Sequence, residues 1–118
     1  MNKQSYPKQG AVYLIKALKT MGDTKKRPSV IVSLNVRNQY STTVLVVPFT
    51  SDLIGGETPT RMLIKAPEGG LEVDSLALCD NVSTIRQSSL SDSPYGVITP
   101  VNLQRIQQGI MTAIGVFL

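Results

Sequence analysis

The sequence predicts a mainly β protein with helices: a small, strongly bent β barrel with a C-terminal α-helix. Short apolar, β-branched runs follow one another, several of them ending in a polar residue. A sustained helical period of apolar residues occurs only near the end of the chain. The length of 118 residues is enough for one core and too short for two. Residues 1–118 therefore read as a single domain, and they hold no internal repeat or low-complexity segment.

The first strand is residues 11–15, a continuous apolar run after Gly10 that suits burial on both faces. A basic loop, 16–26, follows, with Lys16, Lys19, Lys25 and Lys26 around Met21-Gly22-Asp23; it reads as a solvated segment or as a cover over a site. Pro28 has no amide hydrogen and belongs among a strand's first residues, so Val30 to Val32 carry the second strand with Arg27 at its mouth. Residues 35–41, with Asn35, Asn38 and Gln39, predict a polar turn. The longest β-branched run, 42–49, predicts the central strand, and Thr50 and Ser51 close it with two hydroxyls.

Residues 51–59, rich in Gly and Pro, predict a surface loop. In Arg61-Met62-Leu63-Ile64-Lys65 the apolar Met62 and Ile64 share one face of a half-exposed strand, and 66–70 turn the chain. Residues 74–80 form another apolar run, which meets Asp80 and Asn81 at its end. The stretch 83–90 predicts weak helix, and 95–98 a last short strand. Thr99 is the expected N-cap and Pro100 the first helical residue. Leu103, Ile106, Ile110, Ala113 or Ile114, and Phe117 then form one apolar stripe, which Gly109 weakens.

Composition narrows the chemistry. Hydrophobic residues at 42% and charged residues at 17% describe a folded chain. Four Tyr, two Phe and no Trp leave base stacking a minor resource. With no histidine and Cys79 as the single cysteine, an intrachain disulfide, a Cys/His zinc site and a Cys-His nucleophile are excluded. Cys79 reads as core, a reducing cytoplasm is the expected location, and no cofactor or metal is expected. The polar start and the lack of a run near 20 apolar residues predict neither an export signal nor a membrane span. A net charge of +4 suits a polyanionic partner, although solubility alone accounts for a charge of that size.

Four pieces stand in order: Gly10-Ala11-Val12-Tyr13; Lys26-Arg27-Pro28-Ser29-Val30-Ile31-Val32; Val46-Val47-Pro48-Phe49-Thr50-Ser51; and Asp74-Ser75 through Cys79-Asp80-Asn81 with Thr84-Ile85. Each is common alone. Together, at this spacing, they resemble the MazF/PemK toxin family over nearly the whole chain. The resemblance implies an SH3-like barrel of the MazF/CcdB type, a homodimer, and the toxin of a type II toxin–antitoxin system. Its implied activity is sequence-selective, metal-independent cleavage of single-stranded RNA. Its implied partner is a co-encoded antitoxin whose flexible acidic segment fills the RNA groove. By the family pattern Arg27 matches the catalytic arginine and Thr50 the catalytic threonine, with Ser51 and Asp80 at neighbouring active-site positions.

The chemistry agrees with that allocation. RNA can be cut by its own 2′-hydroxyl attacking the adjacent phosphorus, which requires alignment, charge stabilisation and proton movement, with no strict need of metal or histidine. A guanidinium offers two parallel hydrogen bonds to a phosphate and stays charged at every working pH, which suits Arg27 to charge stabilisation. Thr50 is too weak an acid or base to move protons near pH 7, so its hydroxyl orients the phosphate or the 2′-hydroxyl. Asp80 is the expected proton acceptor if it lies within reach of the site; otherwise it is a carboxylate accepting turn amides. Lys25, Lys26, Ser51, Asn81 and Arg86 complete the expected RNA-binding set.

The chain departs from the family pattern in three places. The loop before Arg27 reads Met21-Gly22-Asp23-Thr24-Lys25-Lys26, without the His or Glu-Gln segment of many members, and Leu78 and Ser83 stand where some members carry arginines. Arg86 or Arg61 could compensate, and Asp23 could replace the acidic residue. These departures keep a second expectation open, a non-catalytic toxin or binding module of the same fold. The gyrase poison CcdB is the obvious case, but its chain end contains a tryptophan, whereas this chain ends Gly115-Val116-Phe117-Leu118.

Overall fold

The computed structural model describes residues 5–15 and 27–116. The elements run β1 (Ala11–Ile15), β2 (Arg27–Ile31), α1 (Asn35–Tyr40), β3 (Thr43–Thr50), β4 (Arg61–Ile64), β5 (Ser75–Leu78), β6 (Ser83–Arg86), β7 (Gly96–Val97) and α2 (Pro100–Ala113). Short 3-10 turns occupy Glu68–Gly70 and Gln87–Ser89. The expected basic loop, with Lys25 and Lys26, and Phe117 of the expected helical stripe lie outside the described residues.

All seven strands join one sheet, curled as a half-barrel, in the order β4-β5-β3-β2-β1-β7, with β6 also paired to β3. The β-branched run that predicted a central strand is central because β3 has partners on both edges. One edge takes β2, with Val30 opposite Val47. The other takes β5 at Phe49↔Ala77 and then β6 at Val46↔Ser83. Between those two pairs β3 advances three residues while the opposite chain advances six, so the surplus is thrown out as a turn at 79–82. An excess of this kind bends a strand as a bulge does, and it bends the sheet here.

Strand alternation sorts the apolar residues onto the two faces of the curled sheet. On one face Val12, Val30, Val47, Phe49, Ile64, Ala77 and Cys79 pack with Leu71, Ile98 and Ile106. On the other, Ile15, Ile31, Val44 and Val46 pack with the partly buried Tyr13, Ile85 and Leu90. Helix α2 closes the first core and packs on β4. Its cap is as expected: Thr99 Oγ1 accepts from Asn102 N at 3.2 Å and Pro100 opens the helix. Ile106 is fully buried, worth about 2–3 kcal/mol for a side chain of that size. Leu103 and Ile110 pack partly, whereas Ala113 and Ile114 at the end of the stripe are exposed.

Gly109, expected to weaken the helix, instead lets it dock. A Cβ there would lie 2.8 Å from Cys79 Sγ and 3.1 Å from Met62 Cε. The thiol lies in the core, as expected, and burial pushes its pKa up to about 12, with the Asp80 carboxylate adding to the rise.

Two local expectations are corrected. Residues 35–41 hold the helix α1 in place of a turn, and the reason is tertiary. Buried Asn38 donates through Nδ2 to Pro7 O at 3.1 Å and Ser33 O at 3.0 Å, and Gln87 Nε2 donates to Asn38 O at 2.8 Å. Residues 83–90 begin as strand β6 and not as helix, because the free upper edge of β3 supplies a ladder from Thr43↔Arg86 to Val46↔Ser83.

Candidate active site

Strand pairing places the two residues expected to carry the chemistry. The β2–β3 register ends at the pair Ser29–Pro48, and Arg27 and Thr50 stand two residues beyond it, each at the end of its strand. Alternation along the two strands gives both the same face of the sheet. Thr50 in turn pairs with Leu76 of β5, and Arg27 with Ile15 of β1, so the pair sits on a row of strand ends framed by buried apolar residues. Arg27 is partly buried. The hydroxyl of Thr50 already accepts from Asp52 N at 3.2 Å, where the chain leaves the strand. An oxygen accepting from an amide has its own hydrogen left to donate elsewhere.

Beside this pair lies a cleft of about 420 Å³. Its apolar walls are Val12, Leu14, Pro28, Phe49, Leu71 and Val73, and its polar lining includes Arg27, Ser51, Glu72, Ser75 and Tyr95. Alternation explains the membership. Phe49 and Ser51 turn toward the cleft while Thr50 turns with Arg27, so the row of strand ends offers a cation and a hydroxyl on one side and a cleft on the other. Arg27 touches both.

The far wall of the cleft, 70–73, is held by interlocked backbone. Gly70 has φ +75°, and a Cβ there would lie 2.3 Å from the carbonyl oxygen of Tyr95. No other residue type allows the two segments to approach so closely.

The remaining expected site residues fall elsewhere. Ser51 lines the cleft as expected of a neighbouring position. Asp80 does not: it is exposed in the turn at 79–82, four residues beyond Leu76, which is the partner of Thr50. Asp80 is not among the residues that line the cleft. Asn81 N donates to Leu78 O at 2.9 Å and Asn81 O accepts from Ser83 Oγ, so this residue shapes the same turn. Arg86 pairs with Thr43, at the opposite end of β3 from Thr50, and is exposed there. Arg61, the other arginine considered as a substitute, pairs with Leu78 on β4. Sequence reasoning missed Glu72 and Tyr95, which reach the cleft from loops. The one signal available was that Glu72 stands three residues before Ser75, where β5 begins.

No group of three or more His, Cys, Asp or Glu side chains suited to a metal occurs among the described residues. No described helix is long and apolar enough to cross a membrane.

Comparisons with known proteins agree with this geometry. Residues 8–114 match the model of the PemK-like, MazF-like toxins of type II toxin–antitoxin systems. The endoribonuclease EndoA of Bacillus subtilis (strain 168) is 29% identical over 87 residues, which cover 72% of this chain and 75% of the relative. Among solved structures, an endoribonuclease in complex with its cognate antitoxin from a mycobacterial species superposes with a TM-score of 0.79 at 25% identity, covering 95% of this chain and 98% of that one. MazF-mt6 of Mycobacterium tuberculosis gives 0.76 at 23% identity over 92% of this chain and 99% of its own, and a MazE–MazF structure from Deinococcus radiodurans gives 0.74 at 18% over 97% and 100%. The latter two likenesses bear on the fold. With the match spanning nearly its full length, and with an arginine and a threonine at adjoining strand ends, the chain belongs to the PemK-like, MazF-like toxin family.

Proposed function

We propose that this toxin is an endoribonuclease that cuts single-stranded RNA by attack of a 2′-hydroxyl on the neighbouring phosphorus. The observation that carries the reading is Arg27 and Thr50 at adjoining strand ends beside a cleft of about 420 Å³. The names of its relatives, EndoA and the mycobacterial endoribonucleases, support it.

Attack forms a bond from the 2′-oxygen to phosphorus and breaks the bond to the 5′-oxygen, which leaves taking a proton from water, giving a 2′,3′-cyclic phosphate and a 5′-hydroxyl. Negative charge gathers on the phosphoryl oxygens as the phosphorus becomes crowded. Arg27 meets that charge with paired N–H donors, and Thr50 donates its remaining hydroxyl hydrogen. The attacking hydroxyl must also lose a proton. Glu72 shares the cleft with Arg27, whereas Asp80 does not line it, so Glu72 is the carboxylate we assign to accept the proton. A base adjoining the scissile phosphate enters between Phe49, Leu71 and Tyr95.

The same reading includes a homodimer in the cytoplasm, and a cognate antitoxin whose acidic flexible segment competes with RNA for the groove. The net charge of +4 and Arg27 in the cleft suit such a segment. The deciding experiment incubates purified protein with a mixed-sequence RNA in the presence of a chelator. Fragments ending in 2′,3′-cyclic phosphate are expected, and RNA left intact at micromolar protein would remove the nuclease reading.

A further inference from the structure

The two segments that border the strand-end site are both tied to one face of α2, through a single run of polar side chains. The loop 51–60 leaves from Thr50 and Ser51 and returns into β4. Within it, Glu57 Oε1 accepts from Leu63 N at 2.8 Å and forms an ion pair with Arg105 Nη2. Arg105 Nη1 donates to Leu63 O at 3.3 Å and to Asn102 Oδ1 at 2.7 Å. Asn102 Nδ2 donates to both carboxylate oxygens of Glu68 at 2.9 Å, and Glu68 also accepts from Thr99 N and Thr99 Oγ1. Glu68 opens the 3-10 turn that leads directly into Gly70, Leu71, Glu72 and Val73, the far wall of the cleft.

Asn102 and Arg105 are three residues apart on a helix and therefore neighbours on its surface. Burial anchors only part of these segments: Leu71 lies in the core, but every residue of 51–59 is exposed, and so are Glu72 and Val73. Charge and hydrogen bonding supply what burial does not.

We propose that the run Glu57–Arg105–Asn102–Glu68 is a brace that sets the spacing between the loop 51–60 and the cleft wall 70–73, making Arg105 a positioning residue for the choice of RNA site. The inference rests on the nuclease reading for its effect on RNA, and on the structure alone for the mechanical link. Arg105 touches none of the cleft-lining residues' reacting groups, so its loss leaves the chemistry at Arg27 and Thr50 in place. What it releases is the distance between the surfaces that meet the bases on either side of the cut. With side-chain exposures of 35% for Arg105 and 46% for Glu57, the ion pair is partly wet and adds little to overall stability. Its function is geometrical.

The test uses Arg105→Met, which keeps the apolar stem, and Glu57→Gln, which keeps an oxygen for Leu63 N. Each variant is given a mixed-sequence RNA, with the new ends sequenced, and a dinucleotide cut from the preferred site. The expected result is about a tenfold fall in the ratio of cutting at the preferred site to cutting at the next best, with the dinucleotide kcat within about twofold of wild type. An unchanged ratio, or a dinucleotide rate that falls as far as the long-RNA rate, overturns the proposal. Hydrogen exchange of the full-length protein reads the brace without RNA. Arg105→Met should speed exchange in both 52–63 and 68–73 while β2 and β3 stay protected, and faster exchange in only one of the two segments overturns the link. If the wild type cuts no RNA, the nuclease reading fails and the exchange measurement still decides the brace.

Discussion

Arg27 and Thr50 occupy adjoining ends of neighbouring antiparallel strands, each two residues beyond the Ser29–Pro48 pair. Residues 23 apart in sequence are thereby fixed by strand pairing, Arg27 to Ile15 and Thr50 to Leu76, and not by a flexible loop. Rigid placement of a cation and a hydroxyl is what stabilisation of a crowded phosphate needs, because donors already aimed at the charge cost no reorganisation when it develops.

Replacing the guanidinium tests that placement most directly. Arg27→Ala is expected to slow RNA cleavage by about a thousandfold, and Arg27→Lys to recover only part, since an ammonium keeps the charge and loses the fork. Cleavage rates with and without chelator, read beside size-exclusion profiles, check this. A rate within about tenfold of wild type for Arg27→Ala would remove the arginine from the chemistry.

The hydroxyl at position 50 accepts from Asp52 N, and the proposed mechanism has it donate to phosphate as well. Thr50→Ser keeps both and should cut RNA within about tenfold of wild type, while Thr50→Val loses both and should fall by about a hundredfold. A Thr50→Val rate within about twofold of wild type would show that the oxygen is not needed.

Two carboxylates compete for the role of proton acceptor, and position separates them. Glu72 lines the cleft with Arg27, and Asp80 occupies the turn after β5. Glu72→Gln is expected to lower kcat by about a hundredfold, with Asp80→Asn near wild type. The reverse ranking would return the role to Asp80.

Packing of α2 on β4 and on Cys79, just past β5, depends on a hydrogen where other residues carry a side chain. Gly109→Ala gains about 1 kcal/mol of helix propensity but places a methyl 2.8 Å from Cys79 Sγ, so a net loss of about 1–2 kcal/mol is expected in urea unfolding. Cys79→Ala in the same chain should relieve part of that loss, and additive effects would argue against the contact. The contrasting case is Ser29, fully buried with no hydrogen-bond partner for its Oγ. Ser29→Ala should be neutral or stabilising by about 1 kcal/mol.

The pH dependence of stability has a limit at each end. Glu57 is held below the usual carboxylate range first by the Leu63 amide, and then by Arg105. Burial would raise Glu68, but the bonds from Asn102 and Thr99 outweigh it and bring it down. Groups lowered on folding contribute stability above their unfolded value near 4.5, which is lost as pH falls through the folded values. Cys79 is raised from 9.0 to about 12, so its contribution is complete below pH 9 and is lost as pH rises toward 12. Thermal midpoints measured across pH should hold between these limits, and Glu68→Gln should blunt the acid fall.

How far the chain could be read in advance depended on the range of the forces involved. Thr99-Pro100 and Arg27-Pro28 were legible because a cap and a missing amide act within a few residues. α1 was not, since Asn35 to Tyr40 favour a turn locally and become helical through bonds from Asn38 to Pro7 and from Gln87 to Asn38. β6 was missed for the same reason: its ladder partner lies some forty residues earlier, at Thr43 to Val46. Arg27 and Thr50 were singled out by the resemblance and by their strand-end positions. That Asp80 stands in the turn at 79–82 and not along the cleft was hidden, because a surplus of three residues there leaves no mark in composition. Glu72 and Tyr95 reach the cleft from loops, and loop residues carry no periodicity to betray them.

The order of the sheet has a consequence for the cell that makes this protein. β1 pairs with β7, so Ala11 meets Val97, and Tyr95 is needed to line the cleft. A ribosome must therefore have made everything from Ala11 to Val97 before that cleft can exist, and no shorter stretch of the nascent polypeptide holds it.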